Sequence, residues 1–299
     1  MGISKTIGYC SPYIPVEWIS AHQLVPLKLT PGASPVDAPV AHLPGLCPFA
    51  RAYGNTCSLS NDLTAVLFSS RCDQMRRMSE LVSLVSEIPT HLFYFPHTRT
   101  RDIAESHLRN ELDRLSSFLL NLGGQTPSNE LLAAALHHTY SRRAVEDSPP
   151  STTGKKRLAL LGGPLLEHHR CIYDMIRAWG GAVVLDGTES GKRCIPRFSL
   201  EQMAADPYQA LIEGYLECVA DPFARPNDDF YEWLTQHPRR SSIDGIVILR
   251  YLWCDGWHAE VQRIKECMGV PVLDIDVEEG PFETERTVTR IKAFLEVMP

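Results

Sequence analysis

Apolar residues along this chain fall into short runs separated by amphipathic stretches, the alternation expected of buried strands joined by helical crossovers. The pattern predicts a strand from Ile7, a helix opening at Pro15-Val16-Glu17-Trp18-Ile19, and a second strand from Leu24 to Leu29. Residues 30–48 hold five prolines and read as an irregular connection that delivers Cys47. A strand from Leu63 to Phe68 and an amphipathic stretch follow. A long helix is then predicted from Asp102 to Leu122, with Ile103, Leu108, Leu112, Leu115 and Leu119 on one face and Gly123-Gly124 as its stop. A further helix spans Asn129 to Val145. Turn formers without an apolar anchor run from Glu146 to Gly154, which reads as a linker between an N-terminal domain, 1–148, and a C-terminal domain, 155–299. Beyond it come a buried-type strand from Arg157 to Leu161, the turn Gly162-Gly163-Pro164, a helix to Trp179, a strand from Gly181 to Asp186, and a terminal helix from Thr287 to Met298.

Part of this pattern occurs twice. Asp62, Cys72-Asp73 and Pro89 lie 182 positions before Asp244, Cys254-Asp255 and Pro271, and an apolar strand sits between aspartate and cysteine in both copies. Read without gaps, the repeat predicts two similar α/β halves with parallel sheets. Each half then places one cysteine at the carboxyl end of a strand, where such folds bind ligands.

Composition narrows the class. A chain of 299 residues can bury two ordinary cores. Its formal net charge of -7 argues against a nucleic-acid surface, which needs clustered Lys and Arg. The N-terminus lacks the apolar core of a signal peptide, its weak fit to a myristoylation pattern has no other support, and no apolar run approaches the roughly 18 residues of a membrane span. These features predict a cytoplasmic protein with no membrane segment. Nine widely spaced cysteines make a poor disulfide framework, and no CxxC pair occurs. Any metal centre must therefore draw on cysteines distant in sequence. Cys72 and Cys254, each followed by aspartate at a helix start, are matched candidates, and Cys47, just before Pro48 and a predicted helix, is the third. Three thiolates suit a [4Fe-4S] cluster with one open iron, or a catalytic zinc. Asp73 and Asp255 read as helix caps rather than ligands.

The chain resembles subunits of the 2-hydroxyacyl-CoA dehydratase and benzoyl-CoA reductase family, which includes the double-cubane cluster proteins. The resemblance is carried by Gly8-Tyr9-Cys10-Ser11-Pro12-Tyr13-Ile14-Pro15-Val16-Glu17, by Leu46-Cys47-Pro48, by Ser70-Arg71-Cys72-Asp73-Gln74-Met75-Arg76-Arg77, by Leu161-Gly162-Gly163-Pro164, by Val184-Leu185-Asp186, by Cys254, and by Thr289 to Glu296. It implies two flavodoxin-like halves around a [4Fe-4S] cluster held at Cys47, Cys72 and Cys254, with a double-cubane cluster as the other known form. It also implies low-potential one-electron dehydration or reduction of an acyl-CoA or other small substrate, a separate ATP-dependent activator, and a paralogous subunit or homodimer. In agreement, the chain has no Gly-x-x-x-x-Gly-Lys-Ser/Thr loop, so ATP is left to a partner. Glu17 matches a recurrent acidic position of that family and could handle a proton; as a first-turn glutamate it also fits the helix dipole. A non-catalytic cluster-carrying partner subunit and a zinc-thiolate enzyme share this architecture.

Among the spare cysteines, Cys10 lies best for an additional ligand, whereas Cys171 and Cys267 read as core-filling helix residues. Arg99, Arg101 and Arg109 could meet CoA phosphates or simply solvate a helix entrance.

Overall fold

The computed structural model describes residues 5–40, 43–98, 100–145, 154–191, 193–217, 220–237 and 239–298. The predicted linker, apart from Gly154, lies outside them, as do Arg99 and Cys218.

Two four-stranded, all-parallel sheets organise the chain. The first contains β1 (Thr6–Tyr9), β2 (Val25–Lys28), β3 (Ala65–Ser69) and β4 (Thr90–Phe93) in the order β2-β1-β3-β4. The helices α1 (Val16–Ala21), α2 (Pro48–Leu59) and α3 (Asp73–Val85) make its crossovers, and α4 (Arg101–Asn121) and α5 (Asn129–Val145) follow. The second contains β5 (Lys156–Gly162), β6 (Gly181–Gly187), β7 (Gly245–Tyr251) and β8 (Val272–Val277) in the order β6-β5-β7-β8. Its helices are α6 (Ile172–Ala178), α7 (Leu200–Ala205), α8 (Pro207–Glu217), α9 (Asp228–Gln236), α10 (Asp255–Met268) and the terminal α11 (Glu285–Val297). The two orders are the same once renumbered, so the chain is a pair of flavodoxin-like α/β halves. β3 is buried along its whole length, the signature of a central parallel strand covered on both faces, while edge strand β2 leaves Val25 and Leu27 exposed.

The sheets show where the ungapped repeat departs from the fold. The amide of Val66 bonds to the carbonyl of Pro89, and that of Ile246 to Pro271. The prolines stand 182 positions apart but the strand residues 180, and the two extra residues before Cys254 lengthen the strand itself: β7 has 7 residues where β3 has 5. The structural counterpart of Asp244 is Thr64 rather than Asp62. Trp253, between β7 and Cys254, adopts φ 65°, a backbone state unfavourable to a bulky side chain.

Other expectations need adjusting. The predicted helix before Trp179 begins instead as a 3₁₀ turn, Glu167–Cys171. Ile103 is 61% exposed, and Ala104 takes its place on the buried face of α4. The stretch containing α7, α8 and α9 carried no sequence prediction. Phe198, Met203, Leu211 and Tyr215 from this stretch pack into the core that α1, α4 and α5 form on one face of the first sheet. The two halves are further joined by a shared core: α2 packs Phe49 against Tyr251 of β7, the rings tilted by 39° with centroids 6.2 Å apart.

Candidate functional site

In each sheet the chain leaves the two central strands in opposite directions, opening a crevice beyond their carboxyl ends. The two crevices meet. Cys10 and Ser11 follow β1, Arg71 and Cys72 follow β3, Gly163 and Pro164 follow β5, and Cys254 follows β7; all border one cavity, joined there by Cys47. Its empty space is about 660 Å³, a figure that includes the open mouth.

Cys47, Cys72 and Cys254 occupy matched local settings. Each is the residue immediately before a helix: α2, α3 and α10 respectively. Proline at position 48 suits a first helical turn, since its missing N–H would have no partner there. The amides of Phe49 and Ala50 are aimed at the Cys47 sulfur, those of Gln74 and Met75 at Cys72, and that of Trp257 at Cys254. Three helix N-termini thus turn their positive ends on one cavity. Asp73 and Asp255 prove to be first-turn residues, and the cap positions belong to the cysteines.

Burial, followed by the nearby Cys47 sulfur, pushes the Cys72 thiol up to about 12. Burial raises Cys47, and burial together with the sulfurs of Cys47 and Cys72 raises Cys254. The three thiols therefore sense one another across the cavity. Among the described residues no three His, Cys, Asp or Glu side chains converge closely enough to hold a single metal ion.

Cys10 is buried in the same wall, with Cys57 and Tyr53 behind it. Glu17 stands elsewhere: it is 1% exposed, and its carboxylate accepts a hydrogen bond of 2.8 Å from the Tyr215 hydroxyl in the interior. Cys267 is exposed on α10 rather than core-filling, and Cys171 is half-buried. Arg101 pairs with Glu217 at 2.5 Å, and Arg109 with Glu105 at 2.8 Å, so both are engaged by carboxylates of α4 and α8.

Several residues of the cavity wall escaped the sequence reading, Glu189 and Tyr251 among them. Glu189, just beyond β6, borders both this cavity and a wider neighbouring one that also contains Lys28, Asp186 and Cys194. Burial raises its pKa despite the nearby Arg193, Arg71 and Lys28. Its position after a strand end was the available signal. Tyr251 is another: its hydroxyl accepts from the Leu166 amide at 2.8 Å and lies 3.0 Å from His169 Nδ1. Since His169 Nε2 must donate to the Gly280 carbonyl, Nδ1 is the acceptor of the Tyr251 proton.

These features define a two-lobed α/β protein with a thiol-bearing cavity where its paired sheets meet. The family model for the 2-hydroxyglutaryl-CoA dehydratase D-component matches residues 11–145 and 139–298, and the chain belongs to that family. No curated protein matches it. The family supports a role as a component of a 2-hydroxyacyl-CoA dehydratase. Among the described residues, no helix is long and apolar enough to cross a membrane.

Proposed function

We propose that this chain is the cluster-bearing component of a 2-hydroxyacyl-CoA dehydratase, with a [4Fe-4S] cluster held by Cys47, Cys72 and Cys254. The observation that carries this reading is the gathering of three cysteines, remote in sequence and drawn from both lobes, as the caps of three helices around one cavity. The donor set fits an inorganic cluster: soft sulfur ligands, each with amide donors, facing the positive ends of helices that favour an anionic body. A lone zinc ion would instead draw three sulfurs to about 3.8 Å from one another, given zinc–sulfur bonds near 2.3 Å in a tetrahedron. No such trio converges among the described residues.

The bound cluster would supply a low-potential electron. The chain's own residues prepare the surroundings. Met75, Phe49, Phe223 and Trp257 line the cavity and exclude water from it. Glu189, made a weaker acid by burial, stands at the boundary of the two cavities, where it is placed to pass a proton to a departing substrate hydroxyl that leaves as water. Tyr251 keeps its phenolic proton turned to His169 and its oxygen turned to the Leu166 amide, which holds that wall in one arrangement. The wider cavity gives an acyl-CoA a route to Glu189. A separate ATP-dependent activator delivers the electron, and a second subunit, paralogous or identical, completes the enzyme.

Anaerobic reconstitution followed by iron and acid-labile sulfide analysis tests the reading. Wild-type protein and the exposed-site control Cys267→Ser are expected to take up about equal iron and sulfide, whereas Cys47→Ser, Cys72→Ser and Cys254→Ser lose most of it. Equal loading of all five proteins would refute the assignment.

A further inference from the structure

Trp257 is fully buried, lies three residues beyond Cys254 in the first turn of α10, and forms part of the cavity wall. Its indole is gripped from several sides. Phe223 and Phe230 meet it edge-on, with centroids at 6.3 and 5.8 Å, and the Arg193 guanidinium stands 5.4 Å over its face. A ring held in this way cannot turn to seek a partner, yet its Nε1–H has no hydrogen-bond acceptor among the described residues.

The Nε1 edge of the ring faces Gly163. A Cβ built on that glycine would come within 3.7 Å of Nε1 and 3.9 Å of Cδ1, and Gly163 is itself part of the cavity wall. The glycine therefore keeps side-chain atoms away from the donor on the side where the cavity wall lies. Leaving a buried N–H without an acceptor costs stability, which a phenylalanine in the same place would avoid. A buried indole normally finds a partner for its N–H. An orphaned donor bordering a cavity points to an acceptor brought by whatever occupies that cavity, and the Arg193 cation over the ring makes the N–H a stronger donor.

The backbone amide of the same residue is already aimed at the Cys254 sulfur. We propose that Trp257 Nε1–H donates a hydrogen bond to a sulfur of the cluster held by Cys47, Cys72 and Cys254, and so raises its reduction potential. This rests on the cluster assignment above. Reduction adds negative charge to the cluster and its sulfurs, so a fixed donor favours the reduced state over the oxidised one. Trp257 is thus a positioning and tuning residue whose effect is read in the potential.

The experiment is a redox titration of reconstituted full-length protein, monitored by electron paramagnetic resonance without oxygen. Trp257→Phe, loaded to the wild-type iron and sulfide content, is expected to be reduced with an equilibrium constant lower by about tenfold, roughly 59 mV for a one-electron couple. Trp257→His restores a ring N–H and should recover part of the shift. A fully loaded Trp257→Phe protein that titrates at the wild-type potential overturns the inference. A measurement on the wild-type sequence decides the matter if the variant does not load. With tryptophan labelled by ¹⁵N in the indole, the reduced cluster should show a ¹⁵N coupling, because among the described residues no other tryptophan borders the cavity. Absence of that coupling rejects the proposal. Wild-type protein that takes up no iron and sulfide would instead sink the underlying cluster assignment, and the metal analysis reveals this before any titration.

Discussion

His169 is kept neutral by its surroundings. Burial pulls its pKa down to about 4, against which the Gly280 carbonyl is the main opposing influence, and both ring nitrogens are already engaged. The unfolded chain binds a proton at this histidine below roughly pH 6.5, while the folded chain does so only near pH 4. Between those values the unfolded state carries more protons, so stability falls as pH falls through the window and levels off below it. The contribution lost is about 3 kcal/mol. Denaturant unfolding from pH 7 to 4 should show that loss in the wild type and its absence in His169→Gln; parallel pH profiles would contradict it. At this scale the cysteines were legible, because a thiol just before a helix start is a local pattern. Glu189 and Trp257 were not. The meaning of Glu189 comes from Arg193, Arg71 and Lys28, which lie apart in the sequence, and Trp257 reads as ordinary core until its ring nitrogen is seen to lack an acceptor among the described residues.

Among the elements, the turn after β5 is the most constrained. A Cβ on Gly162 would stand 2.3 Å from the carbonyl oxygen of Leu249, a backbone atom of the neighbouring strand that cannot give way without breaking the β5–β7 ladder. Gly162→Ala should therefore destabilise by about 2 kcal/mol or more and disturb Gly163 and Pro164 in the cavity wall. A melting temperature within a degree of the wild type would show that the close approach is not as tight as described. Strand and helix order was largely readable because central parallel strands are continuous apolar runs. The two-residue lengthening before Cys254 was hidden because matching prolines and cysteines kept a common offset while the strand between them slid. The helices α7, α8 and α9 went unread because α7 and α8 bury their apolar residues largely against the other lobe, a partner that a local pattern does not reveal.

For the molecule as a whole, the lobes are fastened by an ion pair between Arg71, after β3, and Asp221, after α8, with both side chains almost fully buried. Arg71 also donates to the Pro96 carbonyl at 2.7 Å and lies over the rings of Tyr13 and Phe95. Removing the acid strands a buried cation, so Asp221→Ala should lose about 3–5 kcal/mol of stability in chemical denaturation. A loss below about 1 kcal/mol would mean that the pair is not a buried fastening. The duplicated architecture and the family were visible in the sequence because their motifs are spread along the chain. The meeting of the two strand-end crevices was not, since it depends on how one lobe sits on the other. That meeting is what brings three thiols remote in sequence to the wall of one cavity. The most direct measurement is anomalous X-ray scattering at the iron edge from crystals grown and kept without oxygen. A compact peak bounded by the sulfurs of Cys47, Cys72 and Cys254 is the predicted result; iron absent from that cavity in reconstituted protein, or bound elsewhere, would contradict the account.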